Sequence, residues 1–420
     1  MGASAQVFQL ANPHALATIV DASATRKIVA SQDIFDTHGI KLWARDQPIS
    51  HSLHQRLLER KLRHPLETCL RAEDGITPFE LHEALVSFLA SDHPLAQAAA
   101  PWAERLIEEV RHLPLHAAVQ LLLTAAHATK PAVFDHAVRA MAVAGAIQAS
   151  IRLDRFELRL AMLGGLLHDI GEMYVNPQYL DGSQHLDVGS YRHVVTHPRI
   201  GELLLATMTD YPPALARAVG EHHERLDGTG YPMRRLGESL SPLGRLLCAT
   251  EAAVGVSGSK PAALSRTSFA LRMVIGEHDA ASVSFFAAAA ARAREDVAQV
   301  GTEAHGDVVV QLALMDTELS MLLEESQALA EDSGESAVVK DVARRVADRV
   351  RRLRTGWNSI GLWCMAQAEG SPHSLFELSR ARDELRYRLK TMERDCLWPH
   401  AELVDADAAR LEALWGGVSA

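Results

Sequence analysis

The sequence predicts a mainly α-helical protein with a small α/β unit at its N-terminal end and a helical bundle at its C-terminal end. Three observations lead there. From Asp92-His93-Pro94 onward, apolar residues recur at helical spacing in nearly every segment. Before that point, residues 27–50 read as two short extended runs around His38-Gly39, where glycine can supply the positive φ of a tight hairpin. Beyond Gly301, long helical stretches cover 303–332, 335–357 and 372–395, the last opened by Ser371-Pro372, a cap followed by proline in the first turn.

Each region follows in order. Ser50 is placed to cap a helix through 51–64, where Leu53, Leu57, Leu58 and Leu62 repeat along one face. Residues 1–91 are therefore expected to form an accessory region with a hairpin and a helix. Periodic segments then cover 95–111, 114–128, 132–150, 154–169, 197–208 and 212–223, with 240–256 and 263–277 closing the same unit. The long break at 174–196 separates two histidine-bearing segments, as a loop over a site would. The expected division is 1–91, 92–285 and 286–420, with the last region offering a surface for a homodimer or a protein partner.

Composition excludes several classes of function. The 420 residues are 48% hydrophobic, enough for substantial cores, and carry a formal net charge of −11. That charge argues against a nucleic-acid polymer as partner, because phosphate binding needs a surplus of Lys and Arg. No apolar stretch nears the ~20 residues of a membrane span, and the first residues lack the basic start and apolar run of a signal peptide. Cys69, Cys248, Cys364 and Cys396 are far apart without a CxxC pair, which excludes a zinc ribbon and disfavours disulfides. A cytoplasmic protein without membrane attachment is expected.

The histidines carry the chemistry. His136 interrupts an apolar helical segment, and His168-Asp169 end another. His197 opens a third, His222-His223 close a fourth, and Glu251 sits within a fifth. Any one of these could be an ordinary core or cap residue. Together they describe a set of imidazoles and carboxylates suited to Fe, Mn, Zn or Ni, with Asp169 placed to bridge two ions. Two metals about 3.5–4 Å apart are a common device for hydrolysing a phosphodiester.

The stretch HHERLDGTGYP at 222–232 resembles, without a gap, the HHExxDGxGYP signature of the HD-GYP family. HDIGE at 168–172 is similar to its HDxGK box. HPRIG at 197–201 and RLLCATEAAVGVSGSKP at 245–261 follow in the family's order, so the resemblance covers roughly 95–280. It implies an all-helical HD-domain bundle that binds divalent transition metals, iron or manganese foremost, and a phosphodiesterase that opens cyclic di-GMP in bacterial signal transduction. By the same resemblance, His136, His168, Asp169 and Glu251 would hold one ion. Asp169 would bridge to a second, held by His197, His222 and His223. Arg225 and Asp227 would brace the loop ending in Gly230-Tyr231-Pro232, with Arg225, Tyr231 and Lys260 on the substrate side.

The sequence departs from the family at four places. Glu172 replaces the lysine of HDxGK, Glu251 stands where the family has Asp, and Ala132 stands where trinuclear members carry Glu. Lys260-Pro261-Ala262 replaces an arginine-proline-tyrosine segment. Two ions are therefore expected rather than three. Glu172 takes the place of a phosphate-binding cation; if the helix continues past His168 it shares a face with His168 and Asp169 and could reach a metal, and otherwise it is a solvated glutamate at a helix end. The expected function is a cyclic di-GMP phosphodiesterase with Asp169 and Glu172 at its catalytic centre. The alternatives are a metal-binding, catalytically weak signalling module and a phosphohydrolase for another nucleotide.

Overall fold

The computed structural model describes residues 8–180, 186–257, 264–293, 305–359, 372–400 and 403–415. In chain order the elements begin with α1 (Pro13–Ala22), β1 (Ile28–Ala30), β2 (Ile34–Phe35), β3 (Lys41–Trp43), α2 (His51–Leu58), β4 (Leu70–Ala72) and α3 (Pro78–Leu89). The middle of the chain forms α4 (Pro94–Ala99), α5 (Ala103–Val110), α6 (Ala117–Thr129), α7 (Pro131–Ile151), α8 (Arg155–Leu167), α9 (Val188–Val194), α10 (His197–Met208), α11 (Pro213–Glu221) and α12 (Pro242–Ser257). The remainder forms α13 (Leu264–Arg272), α14 (Ala280–Arg292), α15 (His305–Glu331), α16 (Ala337–Ser359), α17 (Pro372–Leu397) and α18 (Asp405–Trp415). The mainly α expectation holds, with strands confined among the described residues to the N-terminal region.

The described residues fall into two compact units. One draws on Met1–His185, His193–Ala262 and Asp279–Ala289, the other on Leu186–Arg192, Ala263–His278 and Ala290–Ala420. In the first unit, β2 and β3 form the expected hairpin, Ile34 opposite Trp43, with Gly39 at φ +83° in the turn. β1 instead pairs antiparallel with the distant β4, Ile28 opposite Ala72, a pairing no local pattern announces. Helix α2 stops at Leu58, so Leu62 is buried from the loop beyond it rather than from the helix, and Leu58 itself is partly exposed.

The N-terminal segment packs on the helical core of the first unit. α1 lies against α6, and Asn12 both caps α1 through its side chain and donates Nδ2 to Tyr174 O at 3.1 Å. The Tyr174 hydroxyl in turn donates to buried Glu67 at 2.6 Å. The short 3-10 segment Ile170–Tyr174, which follows Asp169, is thus fastened from the N-terminal side.

The central helices begin where local chemistry says they should. Asp154 caps α8 by accepting from Glu157 N at 2.9 Å, Thr77 and Glu80 form a capping box on α3, and prolines occupy the first turns of α7, α10 and α11. α7 packs along α8, α10 along α11, and α12 against α7, α8 and α11. The expected single helix over 95–111 is broken into α4 and α5 by a 3-10 turn at Ala100–Trp102.

The second unit has its own core. Leu312 and Leu319 of α15 meet Val339, Val346 and Val350 of α16 and Leu378 and Leu385 of α17. The segment 263–277, expected to close the middle unit, belongs here instead. Phe269, Met273 and Val274 are buried in this core with Trp357, which gives α13 its apolar partner.

Candidate metal centre

Two close backbone approaches bring the polar residues together. Gly165 on α8 lies against α7 so tightly that a Cβ there would sit 2.4 Å from Ala140 O. This approach brings the end of α8 beside His136 on α7. Gly171, in the 3-10 segment, lies against the start of α10, where a Cβ would fall 2.0 Å from His197 O. That contact sets Asp169 beside His197. Only glycine permits either contact.

The result is two candidate ligand sets that share one residue. His136, His168, Asp169 and Glu251 form one, and Asp169, His197, His222 and His223 the other, with the ligand atoms of each set within 4.8 Å of one another. Asp169 divides its carboxylate between them. Oδ2 lies 3.2 Å from His136 Nε2 and 3.1 Å from His168 Nε2. Oδ1 lies 3.3 Å from His197 Nε2 and 3.2 Å from His222 Nε2. Glu251 Oε2 reaches His168 Nε2 at 3.1 Å, so glutamate spans the position despite its extra methylene.

Backbone carbonyls set the tautomers. Nδ1 of His168 donates to Gly165 O at 2.7 Å, that of His197 to Val194 O at 2.7 Å, and that of His222 to Val219 O at 2.6 Å. A carbonyl oxygen can only accept, so the neutral rings carry their proton on Nδ1 and point the Nε2 lone pair inward. This arrangement prepares imidazole for a metal. Asp169 Oδ1 is buried without a hydrogen-bond partner of its own, an acceptor that a cation would satisfy. The donor set, imidazole nitrogen plus carboxylate oxygen, fits a divalent transition metal.

The electrostatics follow from burial and crowding. Burial opposes charge on His136, but Asp169 and Glu251 outweigh it and push its pKa up to about 9. His168 is likewise raised against burial by Asp169 and Glu251. Burial works against charge on Asp169 and Glu251 too, yet the neighbouring imidazoles hold both well below the usual carboxylate range. His223 is driven well below its ordinary value, first by burial and then by His222.

The other expected residues are distributed unevenly. α8 ends at Leu167 and the chain continues as a 3-10 turn, so Glu172 does not extend the helical face of His168. Among the described residues it belongs to neither ligand set. It is nonetheless close enough to feel the site: burial first, and then Asp169, raise its pKa to about 7. The half-buried Lys130, at the start of α7, feels the Glu172 charge in turn. The Tyr231 ring stacks on His223, centroids 4.4 Å apart and planes at 19°. Asp227 Oδ1 accepts from Thr229 N and Oγ1 within the loop. Arg225 turns back onto Glu224 O at 2.9 Å. Lys260 lies outside the described residues. Two buried glutamates, Glu221 and Glu224, also belong to this neighbourhood and were not singled out in the sequence. Their position on either side of the histidine pair was the available signal.

Residues 120–271 match the family described as HD domain. A 3′3′-cGAMP-specific phosphodiesterase of Vibrio cholerae is 35% identical over 139 residues, 33% of this chain and 28% of that protein. A cyclic di-GMP phosphodiesterase of Pseudomonas aeruginosa is 28% identical over 206 residues, covering 49% of this chain and 47% of the relative. A cyclic di-GMP phosphodiesterase response regulator of Xanthomonas campestris is 28% identical over 120 residues, 28% of this chain and 32% of its own. These relatives are consistent with the HD-GYP family. The chain spans less than half the length of each of them. Among the described residues, no helix is long and apolar enough to cross a membrane.

Proposed function

We propose that this chain is a cytoplasmic, metal-dependent phosphodiesterase acting on a cyclic dinucleotide, cyclic di-GMP above all. The observation that carries the reading is the pair of ligand sets meeting on Asp169, each lined by Nε2 atoms held inward by backbone carbonyls. His136, His168, Asp169 and Glu251 would hold one ion, and Asp169, His197, His222 and His223 the other, with iron or manganese favoured by the resemblance to the HD-GYP family. Bound divalent ions supply Lewis acidity toward a phosphate and a water that deprotonates near neutral pH.

The protein's own residues do the rest. The carbonyl tethers on His168, His197 and His222 keep these rings from turning away. Asp169 keeps the two half-sites in register. Glu172, with its pKa near 7, is suited to take or give a proton at neutral pH, and Lys130 supplies a cation beside it. Tyr231, Arg225 and Lys260 are assigned to the substrate side. Within 92–285, the part that belongs to the first unit is the catalytic region of this proposal, with 1–91 as an accessory and 286–420 as a surface for a second copy or another protein.

A second reading is favoured by the cGAMP-specific relative: a cyclic dinucleotide with one adenine as substrate. Metal analysis of anaerobically purified protein, joined to turnover assays on cyclic di-GMP and 3′3′-cGAMP, tests both readings. Two ions per chain and hydrolysis of cyclic di-GMP are expected, and faster hydrolysis of cGAMP would select the second reading. Fewer than about one ion per chain, or two ions with neither substrate cleaved, would overturn the phosphodiesterase proposal.

A further inference from the structure

The pair His222-His223 is bracketed by two glutamates, Glu221 and Glu224, and both are buried. Neither belongs to a ligand set. A buried carboxylate is costly unless its oxygens are hydrogen-bonded, and the partners of these two show a common purpose. Glu224 Oε1 accepts from Met233 N at 2.7 Å and Oε2 from Arg235 N at 2.9 Å. Glu221 Oε1 accepts from Arg217 Nε at 2.8 Å and Arg235 Nη1 at 3.0 Å. Its Oε2 accepts from Ser241 N at 2.9 Å and from the Ser241 hydroxyl. Arg235 is therefore held twice, by its backbone through Glu224 and by its guanidinium through Glu221.

Apart from Arg217, every group these carboxylates hold lies on the returning half of the loop that leaves α11 and re-enters at α12. The outgoing half carries Tyr231, whose N donates to His223 O at 3.0 Å. Gly230 packs directly on the chain just past the end of α11, where a Cβ would lie 2.3 Å from Arg225 N. His223 needs that loop. His197 and His222 are tethered through Nδ1 to carbonyls, whereas among the described residues no such hydrogen bond holds the His223 ring. The stacked ring of Tyr231 lies over it instead.

We infer that Glu221 and Glu224 are positioning residues that clamp the loop 224–241 onto the end of α11. The clamp presses Tyr231 onto His223 and so sets the ligand geometry of the Asp169–His197–His222–His223 half of the site. This inference deepens the metal reading and rests on it for its consequence; the clamp itself can be measured without any ion.

Hydrogen–deuterium exchange on the full, chelated chain is the first test. In Glu224→Ala, peptides covering 225–241 should exchange about tenfold faster, the scale of a lost charge-assisted hydrogen bond in a local opening. Peptides covering 136–169 should be unchanged. Glu224→Gln, which retains one acceptor oxygen, should show a smaller acceleration. Arg235→Ala, which removes one of the Glu221 contacts while keeping the backbone bond to Glu224, provides a milder variant should Glu224→Ala fail to fold. Manganese titration of the same proteins should then show one ion retained and the other weakened by about tenfold or more. Unchanged exchange in the loop, or equal acceleration of the 136–169 peptides, would overturn the clamp. Localised exchange with both ions bound as in the unaltered protein would overturn its role in the site. If the unaltered protein binds fewer than two ions, the metal reading fails, and the link from clamp to ligand geometry fails with it, while the exchange data still decide whether the clamp exists.

Discussion

Replacing Gly171 by Ala puts the smallest side chain into the tightest contact of the site. The added Cβ would stand 2.0 Å from His197 O, 2.8 Å from Gly201 N and 2.9 Å from the His197 carbonyl carbon. These are backbone atoms of α10 and cannot swing aside as a flexible side chain would. A contact of at least 3.0 Å requires the 3-10 segment and α10 to part by about 1 Å. Asp169 sits at the head of that segment, with Oδ1 only 3.3 Å from His197 Nε2. The shift therefore acts on the residue that the two candidate ligand sets share. Overpacking of this kind costs about 1–3 kcal/mol of stability. A displacement of about 1 Å in a catalytic constellation can cost about 100-fold in turnover. Gly39→Ala is the matched control, because it sits at φ +83° with open space around it. It should cost about 1–2 kcal/mol in the hairpin and leave metal content and turnover intact. Calorimetry, metal titration and turnover on the two variants check the argument. Full metal content and full turnover in Gly171→Ala would refute the claim that this contact positions Asp169.

Two further outcomes are expected. Glu172→Gln keeps the shape of the side chain but cannot exchange a proton, so turnover should fall by about 10²–10⁴ with both ions retained. Loss of ions would show that Glu172 is a ligand, and unchanged turnover that it takes no part in proton transfer. The chelated and metal-loaded proteins should also differ in their stability as pH rises. In the metal-free site His136 is held up at about 9 against an ordinary 6.5, so its contribution to stability is whole below 6.5 and is lost as pH rises through about 9. His168 is raised and acts in the same direction. The lowered pKa values of Asp169 and Glu251 contribute fully throughout this window, as do those of His222 and His223. Thermal scans with chelator should therefore show falling stability from about pH 7 to above 9, while metal-loaded protein, whose ligands bind deprotonated, does not follow that fall. Parallel profiles would show that these histidines bind no metal.

What the sequence determined by itself was local, or carried by residue type. Helical periodicity located α7, α8, α10 and α11 closely, because a helix is set by its own residues. The ligand candidates were legible because histidine and acid on otherwise apolar helices are costly without a partner, and those residues do converge. The tertiary structure decided the rest. β1 found β4 across thirty-nine intervening positions of chain, and α13 joined the second core through Phe269 and Met273; both choices depend on which distant apolar surface is available, not on local pattern. The end of α8 at Leu167 moved Glu172 off the face of His168. The division of Asp169 between two half-sites required the approaches at Gly165 and Gly171. The work of Glu221 and Glu224 could be seen only once the loop had returned to them, since a carboxylate's partners are fixed by where the chain comes back, and no spacing along the chain encodes that.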